Sequence, residues 1–156
     1  MMCRAPAMTY RRDIESHWVS AYLLARESYD PATIEVALWV MASLTAPGAD
    51  VDDHQPCDPF NACDETMART EVEVTSVAFS SDFEAIVRFA TWRIDAKGLR
   101  RERTGSWVAT VGYRYGALPV AVEDRRFNPW GLYITSYRVR PALMAVGSLA
   151  AIEDRP

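Results

Sequence analysis

Two histidines, three cysteines and a run of aspartates are the side chains in this sequence best equipped for chemistry. His54-x2-Cys57-x5-Cys63 brings two zinc-ligand types into one loop, yet that spacing matches no common structural zinc pattern and the motif supplies no fourth ligand. Asp50, Asp52, Asp53, Asp58 and Asp64 crowd the same stretch but lack the glycine and the alternating register with which a calcium loop wraps its ion. The stretch therefore reads as a solvated acidic loop, and no metal and no cofactor are expected. His17, beside Trp18 in a helical pattern, reads as a partly exposed helix residue rather than a base. Gly-x-Ser-x-Gly, a phosphate-cradling glycine loop and His-Glu-x-x-His are absent, so no catalytic residue is assigned.

Three cysteines are an odd number, which argues against a disulfide framework. Cys57 and Cys63, with five residues between them, can close one small ring, and the spacing leaves bridge and free thiols both open. The net charge is −4 with a single lysine, Lys97. A mildly acidic chain makes a poor general nucleic-acid binder, so no nucleic-acid partner is expected. Trp107, Tyr113 and Tyr115 accordingly read as core rather than as a base-stacking face. The longest apolar run, Val36 to Ala42, is far short of the roughly 20 residues of a spanning helix. The start shows no secretory signal.

The elements that must position these groups follow from hydrophobic period. Ile14, Trp18, Ala21, Tyr22 and Ala25 share one helical face, which predicts a helix over 10–28. Asp30-Pro31 predicts the start of a second helix, to about Leu44, stopped by Ala46-Pro47-Gly48. Ala49 to Arg69 reads as a loop. From Thr70 the period becomes 2, predicting antiparallel strands near 70–80, 83–95, 102–116 and 131–140, with a bulge where the phase slips toward Val77. Helices followed by a strand meander give an α+β domain with helices on one face of a four-stranded antiparallel sheet. Trp18, Tyr22, Leu38, Val87, Phe89, Trp107 and Val111 are the expected core. Residues 1–9 read as a disordered start, 10–142 as one domain and 143–156 as a tail or short helix.

Asn128-Pro129-Trp130-Gly131 has the grammar of a tight turn entering a strand, with proline presetting φ and glycine free to take a positive one. The segment through Tyr137-Arg138-Val139 resembles the signature Asn-Pro-Leu-Gly-Phe-x-Val-x-x-Tyr-Arg of the VirB-type inner-membrane assembly protein of type IV secretion systems (the eighth component, TrbF-like in conjugation). Ala25-Arg26-Glu27-Ser28-Tyr29-Asp30 is similar to that family's first-helix ending, and Trp107-Val108-Ala109-Thr110-Val111-Gly112-Tyr113-Arg114-Tyr115 to its third strand. The resemblance covers residues 12 to 142. Trp130 stands in place of leucine and Leu132 in place of an aromatic, both still large and apolar. The loop with Cys57 and Cys63 is foreign to the pattern.

The resemblance implies an NTF2-like fold and a non-enzymatic scaffold: a periplasmic domain, held at the inner membrane by an anchor outside this chain, that self-associates as a weak homodimer and contacts other secretion subunits. The alternative is an NTF2-like small-molecule binder or an isomerase- or dehydratase-type enzyme, since one fold hosts many functions. Such enzymes place a carboxylate or histidine in an apolar cup. The inward positions Phe83, Ala85, Val87, Phe89, Trp107, Ala109, Val111 and Tyr113 hold neither. Val19, Leu23 and Leu24 widen the apolar surface of the first helix and mark it as a candidate interface. A groove between that helix and the last strand, near Arg26, Tyr29, Tyr137 and Arg138, is a candidate partner or ligand site.

Overall fold

Alanine, leucine, arginine and glutamate favour helix along the N-terminal segment, and α1 runs over Arg4–Glu27 in a computed structural model that describes residues 4–52, 67–95, 97–116 and 131–142. It begins at Arg4, inside the segment expected to be disordered, rather than at Tyr10. Pro31 disfavours helical geometry before it, and the chain turns at Asp30. The Asp30 carboxylate accepts from the Ala32 amide at 3.0 Å and its carbonyl from Thr33 at 3.0 Å. Asp30 thus caps a turn rather than the helix itself. α2 starts later than expected, spanning Ile34–Leu44, with Thr33 as an N-cap that makes no side-chain cap bond.

The acidic loop was expected to follow α2, but a strand comes first. Thr45 is extended (φ −83, ψ 126) and opens β1, Thr45–Val51, which pairs in parallel with the last strand. The sheet is completed by β2 (Met67–Ser81), β3 (Glu84–Asp95), β4 (Arg101–Tyr115) and β5 (Leu132–Pro141) in the order β1-β5-β4-β3-β2. It is therefore five-stranded and mixed, not four-stranded and antiparallel. Thr-Ala-Pro-Gly-Ala-Asp-Val has no period-2 pattern, and Pro47 lacks a ladder donor, so only an edge position suits it.

The four expected strands form as an antiparallel meander within a residue or two of the predicted limits, β2 starting three residues earlier at Met67. The predicted bulge lies between Val74 and Ser76, where Thr75 is the extra residue and its hydroxyl donates to the Arg88 carbonyl at 3.0 Å. A second irregularity, at Thr135 in β5, lets Leu132, Ile134 and Tyr137 all turn inward despite the three-residue step from Ile134 to Tyr137. β2 is the other edge of the sheet, bridged by Tyr29 at Thr70 and blunted by Glu71, Glu73 and its bulges.

The core lies between α1 and the sheet. Val19, Tyr22 and Leu23 of α1 and Leu44 of α2 pack with Ala85, Val87 and Phe89, with Ala109, Val111 and Tyr113, and with Leu132, Ile134 and Tyr137. The buried line on α1 is Glu15-Val19-Tyr22-Leu23-Glu27, rotated from the predicted one. Trp18 is consequently only partly buried, and Leu38 of α2 and Trp107 of β4 are partly buried as well. The Trp107 ring lies over Gly105, where a Cβ would approach it to 2.8 Å, and its Nε1 donates to Thr91. Among the described residues no helix is long and apolar enough to cross a membrane.

Candidate functional site

Two carboxylates of α1, Glu15 and Glu27, are fully buried, and both meet tyrosines of the sheet. Helical spacing sets Arg11 and Arg12 one turn before Glu15. Arg11 Nε donates to Oε2 at 2.7 Å and Arg12 Nη1 to Oε1 at 3.1 Å. Strand spacing places Tyr113 and Tyr115 on one face of β4, and their hydroxyls complete the set, Tyr113 to Oε1 at 2.7 Å and Tyr115 to Oε2 at 2.6 Å. A carboxylate has about four acceptor positions, and here each oxygen receives two donors. Burial pushes the Glu15 pKa up, but the bonds from Tyr115, Arg11 and Tyr113 outweigh it and hold the carboxyl below its ordinary value. Burial, and then the bonds to Glu15, push both tyrosines well above theirs. The group is thus an ionised, saturated anchor, with neither a proton to give nor a lone pair to take one.

The same cluster ties the start of α1 to the β2–β3 turn. Arg12 stacks on Phe79 at 4.4 Å and lies 3.8 Å from Asp82, while Arg11 reaches the Asp82 carbonyl at 3.1 Å. At the other end of α1, the Tyr137 hydroxyl donates to Glu27 Oε2 at 2.6 Å. Burial first, then the Glu27 charge, push the Tyr137 pKa far up. Arg26 lies over the Tyr137 ring at 5.1 Å and donates to the Asp52 carbonyl at 2.8 Å. Asp52 in turn accepts from the Val139 amide at 2.9 Å and from Arg138 at 3.3 Å, and Arg138 also pairs with Asp50. These bonds hold β1 to β5.

Of the residues singled out from sequence, Arg26 and Tyr137 come together, but as part of this packed anchor, Tyr137 being buried. Arg138 lies on the opposite face of β5, and Tyr29 forms a backbone bridge with Thr70 at the start of β2. Val19 and Leu23 are both 0% exposed, so they cannot widen an outer surface; Leu24, 39% exposed, is the one of the three that faces out. Gly131 has φ +66, as the turn grammar requires. Asn128, Pro129, Cys57, Cys63 and His54 lie outside the described residues. Glu15 and Glu27 escaped the sequence reading, which searched only the strands for a carboxylate in the cup. The available signal was Arg11-Arg12-x-x-Glu15 at helical spacing, a pattern more common on a solvated face.

The family model described as "VirB8 protein" matches residues 2–141. The type IV secretion system protein virB8 of Brucella abortus is 28% identical over 144 residues, covering 90% of this chain and 60% of that protein. PtlE of Bordetella pertussis, also a type IV secretion system protein, is 30% identical over 130 residues, covering 81% and 56%. The chain thus spans about 60% of the length of the Brucella relative. Among solved structures, the soluble domain of the TrwG type IV secretion machinery from Bartonella grahamii superposes with a TM-score of 0.65 at 32% identity, covering 82% of this chain and 92% of that one.

Proposed function

The chain belongs to the VirB8 protein family, and from that premise we propose that it is a non-enzymatic assembly subunit of a type IV secretion system, its NTF2-like domain facing the periplasm beneath an inner-membrane anchor. It works by associating with copies of itself and with other channel subunits. The observation that carries the non-catalytic part is Glu15: the carboxylate inside the cup accepts from Arg11, Arg12, Tyr113 and Tyr115 and has nothing left for a substrate. Its work is to fasten α1 to the sheet, as a scaffold needs and an acid–base site does not. The exposed apolar groups of the helices, Leu24 on α1 and Val36 and Trp39 on α2, support the self-association.

Deleting the gene in its own bacterium and measuring substrate export or DNA transfer tests this. Transfer should fall to background and return with the full-length gene, including a Tyr113→Phe copy, which alters the buried anchor but leaves the surface. Parental transfer in the deletion strain would overturn the reading.

A further inference from the structure

The face of the sheet opposite the two described helices carries arginines in register. Arg88 of β3 lies opposite Val108 of β4, which lies opposite Arg140 of β5, so the three form one cross-strand row. The backbone positions of the two arginines are two strand spacings, roughly 10 Å, apart. Val87 and Phe89 flank Arg88 in sequence and are buried, which fixes Arg88 on the outer side, and both arginines of the row are exposed. Arg103 bonds Ser106 on the same face at 2.6 Å and, with Arg88, Ser106 and Thr75, lines a pocket of about 150 Å³ that no carboxylate lines. No ion pair to Arg88, Arg103 or Arg140 exists among the described residues. One residue pair along, Arg138 shows what this face does with acid: its two terminal nitrogens take Asp50 and Asp52.

We propose that this face docks an acidic segment of a partner protein, with carboxylates on Arg88 and Arg140, an apolar side chain on Val108 between them, and a further carboxylate in the pocket beside Arg103. Charge complementarity names the occupant. The chain is net −4, so a row of uncompensated guanidiniums is local and does not come from a basic surface. Guanidinium is planar and forked, matched to a carboxylate. A nucleic acid fits worse, because Val108 interrupts the row, whereas a continuous phosphate backbone needs a cation at each step. The inference rests on the reading of this domain as an assembly subunit.

The test is fluorescence anisotropy with a labelled Glu/Leu-rich peptide, its Gln/Leu counterpart and an oligothymidylate, on the wild type and on Arg88→Glu/Arg140→Glu with circular dichroism to verify the fold. Wild type should prefer the Glu peptide to the Gln peptide by at least about tenfold, weakening with salt, and the double variant should lose that preference. Equal binding by wild type and folded double variant overturns the proposal. So does tighter binding of the oligonucleotide, or a dimer in sedimentation that the double variant abolishes, which would make a second copy the occupant. A rise in peptide affinity on Glu153→Gln/Asp154→Asn would likewise assign the face to the chain's own C-terminal segment. Export measured with the double variant separates the two readings: peptide binding lost with export intact removes this docking role alone, whereas intact export in the gene deletion removes the assembly role.

Discussion

A carboxylate that is itself fully buried and receives four donors is costly to disturb. Glu15→Gln keeps the shape but removes the charge that Arg11 and Arg12 answer, and should cost about 2–4 kcal/mol at neutral pH, measured by urea unfolding. The cost should depend on pH. The folded Glu15 titrates below its ordinary value of 4.5, so its contribution is complete above that value and is lost as the pH falls through the folded pKa. The gap between wild type and Glu15→Gln should narrow on going from pH 7 toward pH 3, and a gap unchanged over that range would falsify the charged-anchor assignment. Gly131 makes a second residue-scale case. At φ +66 a side chain is strained, so Gly131→Ala should lower stability by about 1–2 kcal/mol, and β-branched Gly131→Val by more, in thermal melts.

At the scale of the element, α1 carries two adjacent leucines with opposite fates. Leu23 is at 0% exposure against the sheet and Leu24 at 39%. Leu23→Ala should cost about 3 kcal/mol, whereas Leu24→Ala should stay within about 0.5 kcal/mol. Equal costs would mean that the helix is rotated from the line Glu15-Val19-Tyr22-Leu23-Glu27. The rotation has a physical source. Ile14, Trp18, Ala21 and Ala25 make the more apolar flank, so hydrophobic pattern alone selects it, but anchoring Glu15 and Glu27 to tyrosines of β4 and β5 turns the line between them toward the sheet. β1 is a similar case: its sequence has no strand pattern, and its place beside β5 follows from the bonds Asp52 makes with Arg26, Arg138 and Val139.

For the molecule as a whole, the exposed apolar groups of the helices set the expected association. Val36 is 63% exposed and Trp39 43%, with Leu24 on the neighbouring helix. Scattered groups of this size bury far less than the roughly 800 Å² per partner of a stable interface, so the domain should dimerise in the micromolar range or more weakly. An anchor that confines copies to one membrane raises their effective concentration enough to make such a contact count. Sedimentation velocity across a wide concentration range measures this, and Leu24→Glu/Trp39→Glu should shift the protein to monomer without changing its fold. A wild type that stays monomeric at high concentration would refute the expectation.

Legible in the sequence alone were the class, the two helices, the four antiparallel strands, the bulge in β2 and the positive φ of Gly131. All of these rest on local period or local backbone chemistry, which a single segment expresses alone. The family was legible for a related reason, because its motifs are short and ordered along the chain. The remainder depends on residues far apart in the chain. Glu15 finds its tyrosines 98 and 100 residues away, and Glu27 finds Tyr137 110 residues away. The parallel edge strand and the arginine row exist only once the register of β3, β4 and β5 is set. Pairings of that range are selected by global packing, in which a buried charge is tolerated because distant donors converge on it, and no pattern within one segment records that convergence.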